Sequence, residues 1–600
     1  MKRLNNILLA AAMVCSALTA SAIPAMPGVW RMIRLADGTQ VRAQLRGDEY
    51  GSYWQTADGA CYTVKAGTDS LFVKADLKQI LSDASVLRSA ANADRAKRLA
   101  QRNGAPARVG KPTGSYLGKK KGIIIMVEFP EDDKISGFTG KFGTGYNQKY
   151  VNGYVNGPLT TGHTRRGFVG TVKDYFLAQS NGQFELDFDV VGPYTLSKPM
   201  SYYGANSGNT NDIHRGAMVK EAVTLADADV NYADYDWTGN GYVDQVFILY
   251  AGKGEAAGGD ASTIWPHESS LTKSDARSSY VSQDTGADGN KVIVNTYACG
   301  PELLFASRAG IGTLCHEFAH CLGYPDMYDT SYKGHYGMGY FDLMDLGSYN
   351  GDSHCPPNFT AYEKWFAGWI TPTVLDKPAT VMGLRPQDVN YGETFVINND
   401  YADNEYYLLE NRQNTVGVWD KELPASGLQI CHIDYDANVW EMNNINSCIN
   451  YSSQYGPLYA KYDSDHERIT IFCADNDRHT DQDEGYKNTS YGDLYPYNGN
   501  NELTDSSRPA ARIYNYATGG SKYMGKPITN ITQNADGTID FDFMGGDPNN
   551  IITGIGGITA NTTVKKADNR VYTLDGRCLG DNIDAAGHGV FIQNGKKIVK

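Results

Sequence analysis

The run His316-Glu317-Phe318-Ala319-His320-Cys321-Leu322-Gly323-Tyr324-Pro325-Asp326 carries H-E-x-x-H, extended to H-E-x-x-H-x-x-G-x-x-D. On a helix, His316 and His320 are four residues apart and project from one face, one turn above the other. That spacing lets two imidazoles share one zinc ion, with Glu317 beside them to polarise a zinc-activated water. Gly323 can take a positive φ, end the helix and turn the chain back toward the metal. Asp326 then arrives as a third ligand, an oxygen donor. The pattern implies zinc-dependent hydrolysis of peptide bonds. Cys315 and Cys321 each sit one residue from a histidine, so they point about 100° away around the helix. They read as small buried residues of that helix, not as ligands.

Six hundred residues are too many for one core and imply three or four structural units. A formal charge of −14 argues against nucleic-acid or anionic-membrane partners and suits an extracellular protein. Lys2 and Arg3, the apolar run Ile7 to Leu18 and the small residues Ala20-Ser21-Ala22 read as a signal peptide removed after Ala22. No other segment approaches the roughly 20 apolar residues of a membrane helix. The expected location is secreted or cell-surface, with no membrane span. An odd number of cysteines remains beyond the leader, and the spacing is too sparse for a disulfide scaffold. A bridge among Cys431, Cys448 and Cys473 is expected, with the pairing left open.

Residues 27 to 74 read as short strands between Asp-Gly turns, and Ala75 to Gln101 as a helix. The basic, Gly/Pro-bearing stretch Arg102 to Lys121 reads as a linker that is easily cut, an activation site between a propeptide and an enzyme. Gly122 to Phe129 and Val243 to Tyr250 have the continuous apolar character of buried strands. Leu303 to Leu322 reads as the best helix. Beyond Pro372, short alternating strands between Asn/Asp/Gly turns imply a β-rich, sandwich-like domain up to about Gly545. The expected order is a signal peptide (1–22), a propeptide (23–115), an α/β (α+β) zinc peptidase domain (116–375), a β-rich domain (376–546) and a linker with a small C-terminal β-module (547–600).

Tyr340-Phe341-Asp342-Leu343-Met344-Asp345 adds a methionine within a turn-rich segment downstream of the histidines. A methionine turn beneath the ligands characterises the metzincin zinc peptidases, and Met344 is the candidate here. Cys315 to Asp329, Phe341 to Gly351 and Phe359 to Ile370 together resemble the M6 family of secreted metallopeptidases, the immune-inhibitor-A group. Ile264-Trp265-Pro266-His267, Glu405 to Arg412 and Ser426-Gly427-Leu428 add to the resemblance, and residues 24 to 62 resemble that family's propeptide. The resemblance implies a zinc endopeptidase with a metzincin-like catalytic domain, made as a latent precursor and acting on protein or peptide substrates.

Two assignments stay open on the residues alone. The third zinc ligand is Asp326 or, in a thermolysin-like arrangement, a downstream acid such as Glu363. The propeptide group that blocks the metal is Cys61 or Asp48, neither in a recognisable switch motif. Asp236, Thr238, Asn240 and Asp244 carry oxygens at positions 1, 3, 5 and 9 of an EF-hand-like string with glycine at 6, a candidate calcium loop. The segment from Asn569 to Lys600 resembles sorting domains of the type IX secretion system and implies secretion machinery as a partner. Two readings from other classes are an inactive surface adhesin on a peptidase fold and a cysteine peptidase. The intact Glu317 argues against the first, and the lack of a cysteine nucleophile motif against the second.

Overall fold

The computed structural model describes residues 20–21, 23–68, 70–103, 117–132, 134–207, 210–389, 393–450, 452–453, 456–479 and 489–553, with strands at 571–573, 590–593 and 596–599. Most of the leader, the basic stretch 104–116, Cys578 and most of the tail lie outside the described residues. The chain divides into two units, Met1–Gly554 and Ile555–Lys600. The fold is mixed α/β and rich in sheet.

The apolar run after Gly122 forms the middle of strand Gly118–Glu128, where Ile123 to Val127 are at most 1% exposed. It is an interior strand of a seven-stranded sheet. The path across that sheet is Ala20–Ser21, His267–Ser270, Thr296–Leu304, Val246–Lys253, Gly118–Glu128 and Phe184–Thr195, with Ser307–Arg308 paired to Thr296–Leu304. The last four on the path are mutually parallel, while His267–Ser270 runs antiparallel at their edge and Ala20–Ser21 antiparallel beyond it. A parallel sheet is covered on both faces, which is why its strands are apolar throughout instead of alternating. Ile124 and Met126 face one core, and Ile123, Ile125 and Val127 face the other.

Two boundaries differ from the sequence reading. Lys119, Lys120 and Lys121 belong to the strand, not to a linker. Lys119 pairs with Glu185 across the parallel ladder, and Lys121 reaches Asp189 and Asp234, each at 3.2 Å. Those acids on neighbouring elements make a basic strand end tolerable. Helix 303–322 is likewise shorter, spanning Gly312–Cys321, because Leu303 and Leu304 finish a strand that hairpins onto Ser307–Arg308.

The N-terminal region is a closed barrel of strands Trp30–Leu35, Gln40–Asp48, Gly51–Thr56, Cys61–Val64 and Leu71–Lys74, followed by helix Leu77–Asn103. Pairing of Asp48 with Gly51 leaves Glu49 and Tyr50 as the turn of one hairpin. Beyond residue 372, two sheets enclose a shared core that includes Val381, Leu384, Tyr407, Leu409, Ile430, Phe541 and Phe543. Strand Glu405–Arg412 is buried along its whole length. Its alternate residues Tyr406 and Leu408 join the core that includes Ile124 and Met126 of the seven-stranded sheet instead. On that face Arg412 donates to both carboxylate oxygens of Asp420 at 2.8 Å, a bidentate pair that compensates a fully buried guanidinium. The second unit contains one three-stranded antiparallel sheet.

Cys431, Cys448 and Cys473 are thiols, so the bridge expected among them is not formed. Cys431 lies on an inner strand facing the main core, and Cys473 is buried beyond the end of the neighbouring strand Ile469–Ile471. No helix of the described residues is long and apolar enough to cross a membrane.

The helix bearing the histidines begins where Gly312 passes against backbone. A Cβ there would lie 2.0 Å from the Ser348 carbonyl oxygen, and Gly312 N donates to Ser353 O at 2.8 Å. Gly312→Ala is therefore expected to destabilise the fold by about 1–3 kcal/mol through overpacking, read as a lowered melting temperature by calorimetry. An unchanged melting temperature would contradict this packing.

Candidate metal centre

Gly323 closes the histidine-bearing helix at φ 96°, as the motif requires, and the chain turns back within three residues. Asp326 Oδ1 thereby comes to 3.3 Å from His316 Nε2 and 3.4 Å from His320 Nε2. Two donors bound tetrahedrally at typical zinc distances stand about 3.3 Å apart, so the three atoms have the separation one zinc ion needs. All three atoms are buried and none has a hydrogen-bond partner in the protein. Buried polar atoms are ordinarily satisfied, and three orphans converging on one point call for a shared cation. Ligand atoms of His316, Glu317 and His320 also lie within 4.8 Å of one another, the only such metal-competent group found among the described residues.

The rings are held from behind. His316 Nδ1 is 2.8 Å from Leu343 O, and His320 Nδ1 is 2.8 Å from Tyr324 O. A carbonyl only accepts, so each Nδ1 carries the proton and each Nε2 presents its lone pair to the site. Arg95 Nη1, from helix Leu77–Asn103, donates to the same Tyr324 carbonyl at 3.1 Å and stands 3.0 Å from His320 Nδ1, so with Nδ1 protonated its hydrogen goes to the carbonyl. Burial lowers the His320 pKa and favours the neutral ring. Two neutral imidazoles and one carboxylate are a zinc-type donor set.

Asp326 has a partner that its own neighbourhood in sequence does not reveal. Asn443 Oδ1 accepts from Asp326 N at 2.7 Å, and Asn443 Nδ2 donates to Asp326 Oδ2. Asn443 holds the left-handed conformation (φ 51°) just past helix Ala437–Glu441. Asparagine tolerates that conformation better than most residues, the only local hint of its position. Met344 is fully buried in a turn where Met344 N donates to Asp342 Oδ1 and Met344 O accepts from Met327 N. That turn also presents Leu343 O to His316. Glu363 does not join the histidine group: its Oε2 forms with Thr360 the capping box of helix Ala361–Phe366, while its Oε1 is buried without a partner. Cys315 and Cys321 are buried thiols, and burial pushes the Cys315 thiol well up.

The N-terminal region reaches the site through neither residue proposed from sequence. Asp48 is ion-paired with Arg88 and contacted by Tyr328 and Tyr332 hydroxyls, while Cys61 Sγ lies against Gly59 O and the Gln55 amide. Glu49, at the hairpin turn, is 5% exposed and neither of its carboxylate oxygens has a partner. Burial raises its pKa, and the negative charges of Asp48 and Asp326 raise it further. Glu317 is pushed well above the usual carboxylate range by burial and then by Glu49, against the amide of Ile23, which donates to Glu317 Oε1 at 3.0 Å. The Asp236–Asp244 loop is closed on itself. Asp236 accepts from the amides of Gly239, Asn240 and Gly241, Asp244 from that of Trp237, and Asn240 from that of Tyr242.

Residues 113–370 match the family model "Immune inhibitor A peptidase M6, catalytic domain". Over that stretch the chain is similar to the catalytic domains of M6 metallopeptidases. It is 30% identical over 228 residues to the pre-pro-metalloprotease PrtV of Vibrio cholerae serotype O1, covering 34% of this chain and 24% of that one. It is 25% identical over 293 residues to immune inhibitor A of Bacillus thuringiensis subsp. alesti, covering 43% and 42% respectively. The chain thus spans less than half the length of these curated relatives.

Removing the support of a ligand should weaken the metal without removing the ligand. Asn443→Ala is expected to lower zinc affinity about 10- to 100-fold, measured by competition with a chromophoric chelator. An unchanged affinity would mean that Asn443 does not orient Asp326.

Proposed function

We propose that this chain is a secreted zinc endopeptidase, made as a precursor whose N-terminal region fills the catalytic cleft. The observation that carries the reading is the convergence of His316 Nε2, His320 Nε2 and Asp326 Oδ1, buried and without protein partners, beside the carboxylate of Glu317. When bound, zinc supplies a Lewis acid that polarises the scissile carbonyl and makes water a better nucleophile. Glu317 takes a proton from the attacking water and delivers it to the leaving nitrogen as the carbon–nitrogen bond breaks. The raised pKa of Glu317 suits a group that must hold that proton briefly. Met344 and its turn carry the Leu343 carbonyl that fixes His316, the role a metzincin-like arrangement gives this segment.

In the precursor, Glu49 is the residue that would complete the metal's coordination. Its two partnerless oxygens lie where their charge is felt by both Asp326 and Glu317. The basic stretch before Gly118 is the segment whose cutting would free the N-terminal region. Export follows from the leader-like start, and the C-terminal resemblance to sorting domains adds passage through the type IX machinery. Calcium at Asp236, Thr238, Asn240 and Asp244 is not carried into this reading, because their loop spends its carboxylates on its own amides.

Casein hydrolysis tests the reading. The processed chain is expected to lose activity on chelation and regain it with zinc, and Glu317→Ala is expected to lower the rate about 100- to 10,000-fold. Activity that survives both chelation and the substitution would sink the proposal, and activity lost only to a thiol blocker would point to a cysteine enzyme.

A further inference from the structure

The N-terminal segment crosses the cleft in the manner of a bound peptide. Ala20 and Ser21 pair antiparallel with Ser269 and Glu268 of the edge strand, adding a strand beside the histidine-bearing helix. Ile23 N then donates to Glu317 Oε1, the atom that would protonate a leaving amine. Beyond it the backbone carbonyls are gripped in turn. Trp265 Nε1 donates to Ile23 O at 3.0 Å, and Tyr349 Oη donates to Pro24 O at 2.7 Å. Met26 N donates to Ala256 O at 3.0 Å, which fixes the chain's exit. The Ile23 side chain is 1% exposed and lies in the same apolar cluster as Trp265, Met344 and Tyr349.

We infer that residues 20–21 and 23–26 mark the substrate path, and that the enzyme cleaves before a branched or unbranched aliphatic residue seated where Ile23 sits. This rests on the peptidase reading above and adds its substrate class. The nitrogen at Glu317 identifies the residue that becomes the new amino terminus. The bond hydrolysed is the one on its amino side, with one water consumed to give a carboxylate and an amine. Trp265 and Tyr349 are the substrate-binding residues of the leaving-group side, holding two successive carbonyls so that the aliphatic side chain enters the apolar pocket. A carboxylate in that position would be buried among apolar side chains and is disfavoured there. Leader removal after Ala22, as expected from the sequence, leaves Ile23 as an amine on Glu317. The precursor then carries its own product-like peptide in the cleft.

Two measurements decide the matter, the first on the processed chain and the second on the full chain. In the first, casein digests are sequenced by mass spectrometry. Ile, Leu, Val and Met are expected as the new amino-terminal residues, with acidic residues disfavoured at least about 100-fold. Tyr349→Phe and Trp265→Phe should each lower kcat/KM about 5- to 10-fold without changing that preference. In the second, independent of turnover, the peptide Ile-Pro-Ala-Met is titrated calorimetrically into the chain carrying Ile23→Asp, whose own segment is repelled from the cleft. Ile-Pro-Ala-Met should bind, Asp-Pro-Ala-Met should not, and Tyr349→Phe in the same background should weaken binding about 5-fold. Glu317-dependent cleavage with no aliphatic preference, or equal binding of the two peptides, would overturn this inference and leave the peptidase standing. Absence of Glu317-dependent cleavage would overturn the peptidase reading itself.

Discussion

Two backbone carbonyls, Leu343 O and Tyr324 O, take up the Nδ1 protons of His316 and His320 and so leave both Nε2 lone pairs directed at Asp326. The rest of the centre depends on that arrangement. With the other tautomer, an N–H would point at the metal position and the three donors could not share a cation. Each carbonyl is delivered by different local structure. Tyr324 follows Gly323 at the end of the helix, and Leu343 sits in the turn that contains Met344. Asp326 is steadied from a third direction by Asn443, which grips both its amide and its carboxylate. The two sheets beyond residue 372 are therefore more than an appendage, because the segment following one of their strands finishes the site.

The second constraint is charge. Glu49, Glu317 and Asp326 bring three carboxylates into one buried space, each raising the cost of ionising its neighbours. Such a cluster is stable only if protonated or compensated by positive charge. A divalent cation among the histidines and an amine at Ile23 would supply that compensation, and both fall at the positions the orphaned atoms mark. The helix Leu77–Asn103 closes over this space. Arg88 pairs with Asp48 of the barrel, Arg98 with Glu268 of the edge strand, and Arg95 bonds the Tyr324 carbonyl. That helix is thus fastened by charge to the barrel, the edge strand and the turn after the histidine-bearing helix.

Features that depend on local spacing were legible in the chain. The four-residue separation of the histidines, the left-handed Gly323, the return of Asp326 and the apolar strand after Gly122 all appear where their chemistry requires. What was hidden depends on distant partners. Asn443 lies 117 residues from Asp326, and nothing in its own surroundings names that contact. Glu49 stands next to Asp48, one of the two candidates read from the sequence, and it is the hairpin turn that leaves Glu49 buried with both carboxylate oxygens unpartnered. Lys119 to Lys121 looked like linker because their acidic partners sit on other elements. Leu303 and Leu304 read as the start of the helix, and their hairpin onto Ser307–Arg308 makes them strand instead. The calcium-like string around Asp236 matched a pattern whose oxygens its own backbone uses.

The most direct test is crystallographic. Crystals of the full chain grown with zinc, measured on both sides of the zinc absorption edge, should give one strong anomalous peak bounded by His316 Nε2, His320 Nε2 and Asp326 Oδ1, with the Glu49 carboxylate beside it. A peak at Glu363 instead, or no peak at the histidines in zinc-grown crystals, would contradict the assignment of this centre.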